Sequence, residues 1–100
     1  MPTNAASWRR VTAREEFCAL FAEKLLRGPD GLLFTLHADG QLTGHVNGDA
    51  FSGQWRWLDG YFCRDLGDGR EECETIETDG TRMRYIRNKG AGAAVIVSIA

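Results

Sequence analysis

The sequence lacks a long apolar run, an excess of basic residues and any recognisable catalytic, metal-binding or nucleotide-binding motif. Its first ten residues, MPTNAASWRR, contain no continuous apolar segment, which argues against a signal peptide and a membrane span. The net charge of −2 argues against nucleic acid as a partner. The sequence therefore predicts a cytoplasmic protein without a cofactor, a metal or membrane association, or a periplasmic or exported protein if a leader has been removed.

Composition and length indicate one soluble domain of 100 residues, with 43% hydrophobic and 26% charged residues. We expect residues 1–11 to be a flexible N-terminal segment, residues 12–27 to form a helix and residues 32–99 to form a β-meander. The predicted fold class is therefore α+β, with one N-terminal helix packed on a curved antiparallel sheet of about seven strands. Such a sheet would form a half-barrel or a small barrel.

The helix prediction depends on its ends and on an apolar stripe. Thr12 and Glu15 have the spacing of a capping box, in which each side chain accepts the other residue's backbone N–H. Gly28 followed by Pro29 is typical of a helix C-terminus. Between these signals the apolar residues recur at helical spacing, at Phe17, Leu20, Phe21 and Leu25.

The meander prediction depends on repeated Asp-Gly and Asn-Gly pairs, which are typical of tight hairpins. They divide the chain into strands of about 32–37, 41–46, 50–57, 61–66, 71–78, 81–87 and 93–99. The turns also predict which residues lie opposite each other: Leu36 with Leu42, Gly44 with Phe51, Trp57 with Phe62 and Ile76 with Met83. This register places most of the large apolar side chains on one face, which the helix should cover.

The last predicted strand, residues 93–99, is apolar on both faces. An exposed edge of this kind would favour aggregation. We therefore expect the strand either to pair with the first strand and close a barrel, or to pair with a second copy of the chain in a homodimer.

Two pairs of side chains raise the question of a disulfide or a metal site. Cys63 and Cys73 lie symmetrically about Asp68, so a hairpin centred there places them opposite each other, as a disulfide or as two reduced thiols. His37 and His45 are predicted to lie roughly 13 Å apart along the sheet, which is too far to share a metal ion.

One row of polar and aromatic residues on the apolar face is the candidate site. The turns align Trp55 with Arg64, Arg64 with Glu72 and Glu72 with Arg87, and in the next row they align Glu74 with Tyr85. These residues could line the mouth of a ligand pocket, with arginines that bind a carboxylate and a wall of tryptophans. The alternative is a salt-bridge ladder at the wet end of the sheet. The candidate ligand-binding residues are Trp55, Trp57, Arg64, Glu72, Glu74, Tyr85 and Arg87.

Two segments resemble known families. The segment Gly-Gln-Trp-Arg-Trp-Leu-Asp-Gly-Tyr-Phe-Cys-Arg at 53–64, with Cys73 downstream, resembles a group of small bacterial proteins of unknown function, some of them labelled dihydrodipicolinate reductase. Other members of the group look exported, which favours a Cys63–Cys73 bridge. The turn segment at 38–44 and the Gly-Gln-Trp segment at 53–55 are similar to calycin-type barrels (lipocalins and avidins), which implies a ligand cup.

The leading functional hypothesis is a small binding or protein-interaction module without evident catalytic activity, whose partner is a small ligand or a protein. The alternative is a small enzyme that uses Glu72 or Glu74 as an acid or base in a cup at the end of the sheet, with Tyr85 and Arg64 as helpers.

Overall fold

A computed structural model describes residues 7–100 of the chain. These residues form one α-helix and nine strands, together with a short 3-10 turn at Asn88–Gly90. The helix α1 spans Arg14–Phe21. The strands are β1 Arg9–Val11, β2 Leu25–Arg27, β3 Leu32–Leu36, β4 Gln41–Val46, β5 Asp49–Leu58, β6 Tyr61–Asp65, β7 Glu71–Thr78, β8 Arg82–Ile86 and β9 Ala94–Ile99.

Strands β2 to β9 form a closed antiparallel barrel. Each strand pairs with the next in the order β7, β6, β5, β4, β3, β2, β9 and β8, and β8 pairs back with β7. β1 lies outside this ring of eight and extends the edge of β7 beyond the end of β6, pairing with residues 76–78 while β6 pairs with residues 71–74. The prediction of a helix combined with a small antiparallel barrel is confirmed, with nine strands rather than about seven.

The predicted helix over residues 12–27 is too long at its C-terminal end. The helix ends at Phe21, Ala22 is extended, and Glu23 has a positive φ of 62°. Residues 25–27 then form β2, which fills the gap between β3 and β9 and closes the barrel. Leu26 points inward and is completely buried, whereas Leu25 is 49% exposed. These residues form a strand because barrel closure buries Leu26 and gives the backbone N–H and C=O groups of the segment hydrogen-bond partners on both sides.

The start of the helix also differs from the prediction. Ala13 is the N-cap and no side chain caps the helix, so the capping box of Thr12 and Glu15 does not form. The carbonyl of Thr12 instead accepts a hydrogen bond of 2.8 Å from the indole N–H of Trp57. This bond ties the chain just before α1 to the end of β5.

The prediction that residues 1–11 form a flexible segment is wrong for the last three of them, which form β1. Val11 is completely buried opposite Ile76, and this burial gives the strand its anchor. Trp8 stacks against the guanidinium groups of Arg82 and Arg84, at 5.1 and 4.5 Å from its ring. Residues 1–6 lie outside the described part of the chain.

The predicted register is confirmed at four turns and shifted at one. The pairs Leu36 with Leu42, Gly44 with Phe51 and Trp57 with Phe62 all form, as does Cys63 with Cys73. After β7, however, Thr78 pairs with Met83 and Ile76 pairs with Tyr85, so the predicted opposition of Ile76 with Met83 is wrong. A shift of two residues leaves every side chain on its predicted face.

Side-chain hydrogen bonds explain the shifted turn. The Asp79 carboxylate accepts hydrogen bonds from the backbone N–H groups of Thr81 and Arg82 at 3.0 and 2.7 Å. The Thr78 hydroxyl donates to the Arg82 carbonyl and accepts from the Gly80 N–H. These bonds hold a four-residue loop over 79–82 in place of the two-residue turn.

The helix closes one end of the barrel rather than covering a face of the sheet. Phe17 of α1 is completely buried, with its ring centroid 4.9 Å from that of Trp57 and 5.5 Å from those of Trp55 and Phe62. These aromatic residues lie where β5 ends and β6 begins, so the opposite end of the barrel, near the turn at Asn47, is left without the helix.

The last strand, β9, closes the barrel by pairing with β8 and β2. Val97 points inward and is 1% exposed. The partner is β2 rather than the first predicted strand, which is β3 in the structure. Both edges of β9 are therefore paired within the chain, which leaves no free edge for strand pairing with a second copy. A homodimer through the side chains of this strand stays a prediction. In the described residues no helix has the length and apolar character needed to cross a membrane.

Candidate ligand cavity

The barrel interior contains a cavity of about 300 Å³ in the half that lies away from α1. We call it the barrel cavity. Phe62 forms its floor, since this side chain lines the cavity and also packs against Phe17 of the helix. Val46 and Leu66, at the open ends of β4 and β6, lie at its mouth and are 39% and 43% exposed. The cavity is therefore a cup with a helix beneath its floor and an apolar rim.

The wall of the barrel cavity is apolar except for three side chains, Arg64, Glu74 and Tyr85. They come from β6, β7 and β8, which are consecutive neighbours in the barrel. Strand alternation places every second residue inside, so these three polar groups share the interior with aliphatic and aromatic side chains. A mainly apolar pocket with a few convergent polar groups is the usual form of a small-molecule site.

Arg64 and Glu74 form an ion pair within this wall. The Nε and Nη2 atoms of Arg64 donate hydrogen bonds to Oε2 of Glu74, at 3.2 and 3.0 Å. Nη2 also donates to Oε1 of Glu72 at 3.2 Å. Glu74 is 1% exposed and the Arg64 side chain 17% exposed, so water screens their attraction only weakly.

Burial changes the proton affinity of this group of residues. Removal from water raises the pKa of Glu74, an effect that the hydrogen bond and charge of Arg64 reduce without cancelling. Burial also raises the pKa of Tyr85, and the negative charge of Glu74 raises it further. Burial alone would lower the pKa of Arg64, but the hydrogen bond and charge of Glu74 outweigh it and raise that pKa. The wall therefore combines an arginine that stays charged, a tyrosine that stays protonated and a carboxyl group whose pKa is raised.

One oxygen atom in the wall is unused. Oε1 of Glu74 is buried and has no hydrogen-bond partner within residues 7–100. Buried polar atoms are nearly always paired, because an unpaired atom loses its hydration without compensation. Glu74, which lines the barrel cavity, therefore carries an acceptor that no described residue uses.

The candidate site residues separate into three groups in the structure. Arg64, Glu74 and Tyr85 line the barrel cavity, although the shifted turn places Tyr85 opposite Ile76 rather than Glu74. Glu72 is exposed, and it accepts a hydrogen bond from Arg87, which is also exposed, at 3.4 Å.

The two tryptophans lie away from the polar wall. Trp55 and Trp57 pack around Phe17 of α1, and the indole N–H of Trp55 donates to the His37 carbonyl at 2.9 Å. They therefore support the closed end of the barrel and do not form a stacking wall in the cavity. The apolar rim residues Val46 and Leu66 were missed by the sequence analysis, although apolar side chains next to a turn were a signal for them.

A disulfide between Cys63 and Cys73 joins β6 and β7 beside the polar wall. The bridged residues directly precede Arg64 and Glu74 along the two strands and point to the outer side of the sheet. On that side, Arg56 donates two hydrogen bonds to the carboxylate of Glu71, at 2.7 and 2.8 Å. Cys63 is completely buried. The bridge cross-links β6 and β7, which are the two strands that carry the ion pair.

The sequence matches no protein-family model, no curated protein and no solved structure. Its function is therefore inferred from the barrel cavity and the residues around it.

Proposed function

We propose that the protein is a non-enzymatic binding module that holds a small, largely apolar molecule in the barrel cavity. The observation that carries this proposal is the cavity of about 300 Å³, which is apolar except for three neighbouring polar side chains. An engineered apolar cavity of about 150 Å³ is enough to bind benzene. The barrel cavity has about twice that volume.

The packing of the rest of the barrel supports the same proposal. Protein interiors are close-packed, and a void of this size forfeits contacts that stabilise the fold. A bound apolar molecule would restore those contacts and remove Val46 and Leu66 from water. The similarity of residues 38–44 and 53–55 to calycin-type barrels also implies a ligand cup.

A thermal-shift screen with small neutral apolar compounds tests the proposal. A compound that binds the folded protein at a concentration of about 100 times its Kd stabilises it by about 2.7 kcal/mol, which raises the melting temperature. The variant Val46→Trp places a large side chain at the mouth and should abolish the shift. His45→Trp is the matched control, because His45 is exposed on the outer side of the same strand. Equal shifts in the two variants would place the ligand elsewhere, and no shift across the library would exclude the proposal.

A homodimer at β9 is a second proposal, supported by exposed apolar side chains on two neighbouring strands. Ile96 of β9 is 44% exposed and Leu25 of β2 is 49% exposed, and strand alternation places both on the outer side of the barrel. Sedimentation equilibrium of the native chain and of Ile96→Lys tests it. A native dimer that the lysine converts to a monomer supports the proposal, whereas a native monomer at high concentration excludes it.

The enzyme alternative would use Glu74 as a general acid or base. A raised pKa in a cavity is typical of such groups, and burial raises the pKa of Glu74. Glu72 is less suited to this role, because its side chain is 58% exposed. An NMR titration of Glu74 that gave an ordinary pKa would exclude the alternative.

The Cys63–Cys73 bridge supports a periplasmic or exported location, since disulfides persist in oxidising compartments. Thiol alkylation of the protein in intact cells tests this location. Protection of both cysteines from alkylation supports it, and modification of both excludes it.

A further inference from the structure

We propose that the ligand of the barrel cavity is an alcohol or a phenol, whose hydroxyl donates a hydrogen bond to Oε1 of Glu74 while its apolar body fills the cup. This inference rests on the proposed binding function and specifies the chemistry of the ligand.

The two oxygens of Glu74 differ in their partners, and this difference selects a hydrogen-bond donor. Oε2 accepts two hydrogen bonds from Arg64, whereas Oε1 has no partner within the described residues and is inaccessible to bulk water. A carboxylate oxygen can only accept hydrogen bonds while the group is ionised. A ligand that supplies an O–H or N–H at this position would satisfy Oε1, while a purely apolar ligand would leave it unpaired.

The charge of the wall selects a neutral donor. The positive charge of Arg64 already balances the negative charge of Glu74, so an ammonium group would bring an uncompensated charge into an apolar cup. A ligand carboxylate would face the carboxylate of Glu74 and would compete for the Nε and Nη2 atoms that Arg64 already uses. A hydroxyl avoids both problems and offers one donor.

The dimensions of the cup select the apolar body of the ligand. A volume of about twice that of a benzene-binding cavity suits two fused rings or an aliphatic group of similar bulk. The apolar side chains on the floor and rim, including Phe62 and Leu66, offer no further hydrogen-bond partner. The ligand should therefore carry its polar group at one end only.

Four naphthalenes that share one apolar body test the inference: 2-naphthol, 2-methylnaphthalene, 2-naphthoate and 2-(aminomethyl)naphthalene. Their affinities are measured by displacement of a fluorescent apolar probe. We expect 2-naphthol to bind about ten-fold more tightly than 2-methylnaphthalene, as for a hydrogen bond to a charged acceptor. The carboxylate and the ammonium compound should bind more weakly than 2-naphthol.

The variant Glu74→Gln identifies the acceptor. It removes the charge at Oε1 and should reduce the preference for 2-naphthol over 2-methylnaphthalene to about three-fold or less. Glu71→Gln is the matched control, because it removes a carboxylate from an ion pair on the outer side of the same strand. This control should keep the full preference. The four native affinities decide the inference even if Glu74→Gln does not fold.

Each other outcome overturns the inference in a distinguishable way. Equal affinity for all four compounds, or a preference for the carboxylate or the ammonium compound, excludes the hydroxyl ligand and leaves the binding function intact. A hydroxyl preference that persists in Glu74→Gln assigns the contact to another residue and overturns it too. Failure of all four compounds to displace the probe overturns the hydroxyl ligand, while the thermal-shift screen decides the proposed binding function separately.

Discussion

Arg64 and Glu74 form an asymmetric pair, in which both hydrogen bonds from the guanidinium reach Oε2 of the carboxylate and none reaches Oε1. The pair joins β6 to β7 inside the barrel, where Glu74 is 1% exposed. Both the stability of the barrel and the chemistry of its cavity depend on this arrangement.

The first prediction concerns the loss of one partner of the pair. Arg64→Met should destabilise the protein by about 3 to 5 kcal/mol at neutral pH, because it leaves the Glu74 carboxylate buried and unpaired. Replacement of both residues, in Arg64→Met/Glu74→Leu, should recover most of this loss. Urea denaturation of the two variants and of Glu74→Leu gives the coupling. Additive losses in the double variant would contradict a coupled pair.

The second prediction is a pH dependence that Glu74 causes. Since the pKa of Glu74 in the folded protein lies above its ordinary value of 4.5, the folded state holds this proton more tightly than the unfolded chain. The contribution of Glu74 to stability is therefore full below about pH 4.5 and decreases as the pH rises through the raised pKa. The stability of the native protein relative to Glu74→Gln should fall as the pH rises above about 4.5, as measured by urea denaturation at a series of pH values.

Asp79 provides a control of opposite sign for this titration. Hydrogen bonds from the backbone N–H groups of Arg82 and Thr81 lower the pKa of Asp79 below its ordinary value of 3.8. Its contribution is therefore present above that value and is lost as the pH falls further. Asp79→Asn should reduce the decrease in the free energy of unfolding at acid pH. It should leave the pH dependence of that free energy unchanged above about pH 5. The same pH profile in Glu74→Gln and Asp79→Asn would contradict both assignments.

The third prediction concerns the disulfide between β6 and β7. The bridge closes a short loop, with a sequence separation of 10. Its removal in Cys63→Ser/Cys73→Ser should therefore lower the free energy of unfolding by about 2 to 3 kcal/mol. Cys18→Ser is the control and should change it by about 1 kcal/mol or less, because Cys18 has no disulfide within residues 7–100 and is partly exposed. A reductant that destabilised the native protein but not the double variant would confirm the cause.

The fourth prediction distinguishes a strand from a helix at residues 25–27. Leu26→Ala should destabilise the protein by about 2 to 5 kcal/mol, because Leu26 is completely buried in the barrel. Leu25→Ala should change the stability by about 0.5 kcal/mol, since Leu25 is half exposed on the outer side. Thermal and urea denaturation measure both values. Similar losses at the two positions would contradict the inward and outward alternation of β2.

Much of the barrel could be predicted because Asn-Gly and Asp-Gly turns determine which residues pair across each hairpin. Asn47-Gly48 and Asp59-Gly60 both have two consecutive residues of positive φ, as a two-residue hairpin turn requires. At Asp79-Gly80 only the glycine has a positive φ, because the Asp79 carboxylate binds the backbone ahead of it. The dipeptide alone does not show which of these two conformations is preferred.

Neither the helix boundary nor the cavity could be predicted from the sequence, and the reasons differ. A Leu-Leu pair such as Leu25 and Leu26 fits a helical stripe and a short strand equally well, and only pairing with distant β9 decides between them. The inward residues were predicted correctly as one apolar face. Whether such residues touch across the barrel or leave a cup depends on how the sheet closes, and no local pattern specifies this.

The closure between β2 and β9 consists of only two residue pairs, Leu26 with Ile99 and Arg27 with Ser98. The other seams of the eight-stranded ring contain three or more pairs. A seam with few hydrogen bonds opens at a lower free energy than the rest of the structure. We therefore expect amide hydrogens of β2 to exchange with solvent before those of β5 and β6. Local opening of the barrel should then occur first between β2 and β9.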